Sequence, residues 1–74
     1  MIISRFTEPE LDIYRDQCNF TGTEREVFEL RSEGIPLEYI AELMHLSVDG
    51  VKKISRKVNK KIAKIHFVDT YRTL

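Results

Sequence analysis

The chain has 74 residues, with 12 Lys and Arg, 12 Asp and Glu, and one cysteine, Cys18. A chain of this length forms one domain that buries roughly 60% of its unfolded surface, which leaves little room for an enclosed catalytic pocket. A lone cysteine excludes an internal disulfide, and no apolar run approaches the roughly 20 residues that span a bilayer. We therefore expect a soluble, cytoplasmic, non-membrane protein that needs no cofactor.

Two capping boxes predict the first two helices. Thr7 is followed three residues later by Glu10, and Thr21 is followed at the same spacing by Glu24. In this motif the threonine hydroxyl accepts from the backbone amide of the glutamate, and the carboxylate accepts in return from the threonine amide. The supporting helices are predicted at residues 8–18 and 22–33.

The middle of the chain predicts two further helices separated by a short turn. Gly34 suits the left-handed residue that ends a helix, and Pro36 can start the next helix, at residues 37–44. Ser47 can accept a hydrogen bond from the free amides of a fourth helix, which we expect at residues 48–65.

The fourth helix is strongly amphipathic. At about 100° per residue, five apolar residues fall within roughly one third of its circumference. They are Val51, Ile54, Val58, Ile62 and Ile65. Seven cations take up the other sides, namely Lys52, Lys53, Arg56, Lys57, Lys60, Lys61 and Lys64. The pattern predicts one side that packs on a core and another that attracts anions.

Charge is divided unevenly along the chain. Residues 1–50 carry eleven acidic and four basic side chains, whereas residues 51–74 carry one acidic and eight basic ones. Such asymmetry is typical of a small domain with a basic surface for nucleic acid. The alternative is a solvated amphipathic helix paired with acidic neighbours.

The spacing of the third and fourth helices is that of a helix-turn-helix: about eight residues, a short turn and a longer helix. The positions that must then face inward are all apolar. They are Ile40, Ala41, Met44, Leu46, Val51 and Ile54. We expect an all-α bundle of three to five helices, most simply four, that forms a single domain over residues 1–74. Its helix-turn-helix would lie at residues 37–65, and a generic helical hairpin is the alternative.

Residues 20–62 carry a set of matching positions that extends over more than half of the chain. They are Phe20, Thr21, Glu24 to Phe28, Leu30, Gly34, Ile40, Ala41, Leu46, Ser47, Val51, Lys52 and Lys60 to Ile62. In these residues the chain resembles region 4 of bacterial sigma factors and the DNA-binding domain of LuxR-type regulators. The resemblance implies that the third helix lies over the DNA backbone and that the fourth enters the major groove. The chain differs from the residues that are usual in this family at two positions, His45 and Gly50.

The resemblance assigns groove contacts to the start of the fourth helix. The residues are Ser47, Val48, Asp49, Lys52, Lys53 and Arg56. Arg56 offers a bidentate fork for guanine and Asp49 could accept from cytosine, although helix-end electrostatics alone also explain Asp49. Lys57, Lys60, Lys61 and Lys64 are better placed for phosphates or water. Leu37 and Tyr39 are candidate phosphate contacts at the start of the third helix, with Tyr39 equally suited to the core.

Residues 66–74 break the apolar pattern, and we expect a turn, a short strand or a partner-binding tail there. Phe67, Val68 and Tyr71 are its candidate contacts with a second copy or with RNA polymerase. The function implied is a DNA-binding transcriptional regulator of phage or mobile-element type. The alternative is a sigma-like interaction module that binds RNA polymerase or another regulator through this tail or through the acidic helices.

Neither catalysis nor metal binding is expected. His45 and His66 lack partners at catalytic or zinc spacing. Four glutamates of the second helix are expected to face solvent, namely Glu24, Glu26, Glu29 and Glu33.

Overall fold

The computed structural model describes the backbone of residues 3–72 and the side chains of residues 3–65. A single 3-10 turn, η1 (Ile3–Arg5), precedes four α-helices in this range. They are α1 (Glu8–Gln17), α2 (Gly22–Ser32), α3 (Leu37–Met44) and α4 (Val48–Arg72). No strand occurs in residues 3–72, so the predicted all-α fold is confirmed.

The first two helices begin at the predicted capping boxes. The Thr7 hydroxyl accepts from the Glu10 amide at 3.4 Å, and the Glu10 carboxylate accepts from the Thr7 amide at 2.9 Å. Thr21 and Glu24 make the same pair of bonds at 3.2 and 3.0 Å. Both helices end within one residue of the predicted limit.

A residue with left-handed backbone geometry lies in the connection before α3 and another in the connection before α4. Gly34 has a φ of 81°, and His45 has a φ of 56°, which histidine tolerates better than most residues. Pro36 is the N-cap of α3 rather than its first helical residue, and its carbonyl accepts from the amide of Ile40. The expectation that Leu46 faces inward is wrong, because Leu46 is 41% exposed. That expectation came from the helix-turn-helix pattern; Leu46 lies in the turn after the left-handed His45 and is not among the residues packed against the second core cluster.

The helices enclose two adjoining core clusters. The first contains Ile3, Leu11, Tyr14, Cys18, Phe28, Val58 and Ile62. The second contains Val27, Ile40, Ala41 and Val51. Ile54 is half-buried and packs against both clusters. The buried position of Ile3, 1% exposed, was not predicted from the sequence, because the few residues before the first cap are too short a segment to show a period.

The fourth helix is longer than predicted. It continues past residue 65 to Arg72, so the expectation of a turn or strand from residue 66 is wrong. Residues 66–72 contain neither proline nor glycine, and adding residues to an existing helix is far easier than nucleating one. At 1.5 Å per residue the 25 residues span about 37 Å, which accounts for most of the 42 Å long axis of the molecule.

Candidate nucleic-acid interface

The apolar stripe of α4 sets the orientation of its cations. Val51, Val58 and Ile62 have no exposed surface, and Ile54 and Ile65 are half-buried, as the periodicity predicts. Outside this stripe Ser55 is also buried, but most of the cations of α4 are turned to solvent. We call six exposed cations there the basic face: Lys52, Lys53, Arg56, Lys57, Lys60 and Lys64.

The seventh cation of α4 has a different environment. The Lys61 ammonium is 2.5 Å from a carboxylate oxygen of Glu24, and it lies 3.4 Å from the carbonyl of Asn19. Glu24 is only 7% exposed, so the expectation that it faces solvent is wrong. The hydrogen bond from Lys61, followed by that from the Thr21 amide, lowers the pKa of Glu24.

The basic face, in contrast, has no ion-pair partner among the side chains of residues 3–65. None of its six side chains forms an ion pair or a hydrogen bond with the residues whose side chains the structure describes. In the ion pairs that the structure describes, acidic side chains of α1 and α2 are bound to Arg15 or to Lys61. Unpaired cations along one side of a helix are free to release counterions to a polyanion.

The residues at the start of α4 have mainly structural contacts. The Ser47 hydroxyl accepts from the Gly50 amide at 3.0 Å, which is the predicted capping bond. Val48 is half-buried against the second core cluster, whereas Asp49 is exposed in the first turn. Ser47 and Asp49 thus remain accessible as predicted groove contacts, and Val48 is partly covered by its own core.

The start of α3 is less favourable to phosphate than the sequence suggests. Tyr39 is 62% exposed, so it does not belong to the core. It lines a shallow depression together with Glu38 and Glu42. A phosphate at the Tyr39 hydroxyl would lie beside the carboxylates of Glu38 and Glu42, and like charges repel. Leu37 is half-buried, and its side chain is apolar, so only its backbone amide could make the predicted contact with a phosphate.

The tail residues predicted as partner contacts cannot be placed in the site. Phe67, Val68 and Tyr71 lie in the helical backbone of α4, but their side chains are outside the described ones, and residues 73–74 lie outside the described chain. Among the described residues, no helix combines the length and apolarity required to cross a bilayer. Within the same residues, no three acidic, histidine or cysteine side chains are grouped as metal ligands would be.

The chain matches no protein-family model, no curated protein and no solved structure. The resemblance of residues 20–62 to sigma region 4 and LuxR-type domains therefore rests on the matching residues themselves. Two structural features agree with the expected geometry: a three-residue connection between α3 and α4, and the burial of Ile40, Ala41 and Val51 between them.

Proposed function

We propose that the protein is a DNA-binding transcriptional regulator of helix-turn-helix type, with α4 as the helix that enters the major groove. The observation that carries the proposal is the basic face. Six exposed cations without partners among the described side chains lie on a helix whose opposite side is anchored in both core clusters. Such a helix presents charge on a rigid support, and this is the electrostatic footprint of a duplex-binding surface.

The two ends of the basic face would serve different parts of the duplex. Lys52, Lys53 and Arg56 lie in the first three turns of α4, where a recognition helix meets base edges. Arg56 can donate a bidentate pair to guanine, whereas each lysine is a point charge. Lys57, Lys60 and Lys64 lie farther along α4 and would neutralise phosphates.

The net charge of zero does not oppose this proposal, because most of the acidic residues lie outside α4. Three acidic residues of α1 are exposed, namely Glu8, Asp12 and Asp16, and so are Glu26 on α2 and Glu33 at its C-cap. These helices would be repelled by a polyanion while α4 is attracted to it. The charge distribution therefore favours one orientation of the protein on DNA, a role that electrostatics commonly has in association.

The proposal is tested by fluorescence anisotropy of a labelled mixed-sequence duplex with the full chain across a salt series. We expect affinity to fall steeply with salt, with a log-log slope of roughly −3 to −6 for four to six neutralised phosphates. Replacing both Lys53 and Arg56 by alanine should weaken binding at least about tenfold at low salt, because the variant removes two cations that attract the duplex and release its counterions.

A matched control removes the same charge from another surface. Arg5 and Arg25 are exposed on η1 and α2, so the R5A/R25A variant lowers the net charge by the same amount as K53A/R56A. We expect the control to lose much less affinity than the α4 variant. An equal loss in both would show that only net charge matters, and absence of binding by the unmodified protein at low salt would contradict the function itself.

A further inference from the structure

The outer side of α3 is apolar although nothing in the described structure covers it. Tyr39 is 62% exposed and Leu43 is 61% exposed, one helical turn apart. Glu38 and Glu42 form a parallel pair beside them, and both are exposed. We call these four residues the acidic-apolar face of α3.

The composition of α3 makes this exposure unusual. Six of its eight residues are apolar or aromatic, and the other two are glutamates. Ile40 and Ala41 account for the side buried in the second core cluster, with Leu37 and Met44 at its margins. Tyr39 and Leu43 therefore take no part in the packing of either core cluster. A helix that is apolar on both sides normally has a second surface to pack on.

We propose that the acidic-apolar face binds a cationic amphipathic helix of a partner protein, one with aliphatic side chains on one side and lysine or arginine beside them. The depression lined by Glu38, Tyr39 and Glu42 would receive an apolar side chain. The two carboxylates would pair with the flanking cations. Helix α3 contains no Lys or Arg that would compete for them.

Charge argues against a second copy of this chain that docks through the side chains of residues 3–65. Two acidic-apolar faces brought together would place four carboxylates at one interface, and like charges opposed in this way are unfavourable. The basic face of a second copy would supply cations. It has no large apolar residue to meet Tyr39 and Leu43. The partner must therefore combine features that the described surface of this chain does not combine.

A designed peptide serves as the probe: a helix of about 16 residues with leucines on one side and lysines beside them, which is long enough to form in water. Two companion peptides replace every lysine by glutamate or every leucine by serine. We expect the lysine-leucine peptide alone to bind the full-length protein. The amide resonances that shift in ¹⁵N-labelled protein should belong to residues 37–44.

A matched pair of variants tests whether the peptide binds the acidic-apolar face itself or any acidic surface of the protein. E42Q/L43S alters the acidic-apolar face, and I13S/D16N makes the same change in charge and apolarity on α1, where Ile13 is 41% exposed. We expect the α3 variant to weaken binding about tenfold, as truncation of a central contact does, and the α1 variant less than about twofold. Circular dichroism checks that both variants are folded.

Equal weakening by both variants would overturn the proposal, and so would binding of the lysine-serine peptide with similar affinity. Shifts confined to α1 and α2 would do the same. No DNA is present in these measurements, so their result is independent of the duplex-binding experiment.

Discussion

Lys61 and Lys64 are one turn apart on α4, yet their surroundings assign them different roles. Lys61 donates to the buried carboxylate of Glu24, whereas Lys64 is exposed and has no partner among the described side chains. The ion pair joins the start of α2 to the second half of α4. Lys61 therefore belongs to the structural framework and Lys64 to the basic face.

We expect Lys61→Ala to lower the free energy of unfolding by about 1 to 2 kcal/mol, since it leaves a buried carboxylate without its charged partner. Lys64→Ala, the matched control, should change it by less than about 0.5 kcal/mol. Urea denaturation at neutral pH measures both. Equal stability of the two variants would show that the Glu24–Lys61 pair contributes nothing.

The same pair predicts a dependence of stability on pH. The pKa of Glu24 is lowered in the folded protein from an ordinary value of 4.5, so the ionised carboxylate favours the folded state. This contribution is fully present above that value and is lost as the pH falls through the lower, folded pKa. Denaturation over this range should show the stability difference between the unmodified protein and Glu24→Gln shrinking as the pH falls. A difference that grows towards acid would mean that the pKa is raised instead.

At the scale of helices, three N-caps can be compared within one molecule. Thr7 and Thr21 each form a capping box with a glutamate three residues later, whereas the residue three positions after Ser47 is Gly50. A Cβ added to Gly50 would lie 3.1 Å from the Ser47 hydroxyl oxygen. In α1 and α2 the residue that corresponds to Gly50 is a glutamate, and its amide still donates to the hydroxyl of the N-cap threonine. A small rotation of the Ser47 side chain should therefore make room for a side chain at position 50.

We expect Gly50→Glu to complete a third capping box and to raise the free energy of unfolding by about 0.5 to 1 kcal/mol, through both helix propensity and the reciprocal bond. The same variant should bind duplex DNA more weakly, because it places a carboxylate at the end of α4 that would enter the groove. Gly50→Ala separates the effects, since it adds propensity without charge. Thermal denaturation and duplex anisotropy measure the two properties. A Gly50→Glu protein that binds DNA as tightly as Gly50→Ala would move the interface away from the start of α4.

Across the whole molecule, Ile54 is the connection between the two core clusters. It packs against residues of both, and it is the second of the five residues of the apolar stripe of α4. A domain of this size has a stability on the order of 5 to 10 kcal/mol, so the loss of one shared contact is a large fraction of the total.

We expect Ile54→Asp to destabilise the domain by at least about 3 kcal/mol, because the carboxylate would be forced against apolar side chains without a partner. Ala63→Asp, which adds the same charge at an exposed position of the same helix, should leave the fold intact. Far-ultraviolet circular dichroism and chemical denaturation compare the two. A stable Ile54→Asp protein would show that the clusters do not depend on this contact.

The sequence by itself determined the helices and the sides on which they pack. Capping boxes, Gly34 and the 3.6-residue spacing of apolar residues are local signals, and a helix forms its backbone hydrogen bonds within a few residues. The limits of α1, α2 and α3 were therefore predicted to within a residue. The end of α4 was misplaced, because the loss of an apolar pattern does not stop a helix that meets no proline or glycine.

Only the tertiary structure decided which charges are available. The sequence treats Lys61 and Lys64 alike, and although it assigns Glu24 to a capping box, it does not show that this carboxylate is buried. The fold buries Glu24 against Lys61, which is 37 residues away in the chain. It also leaves Tyr39 and Leu43 exposed beside Glu38 and Glu42. Pairing and exposure depend on contacts between distant segments, and local periodicity carries no information about which segments meet.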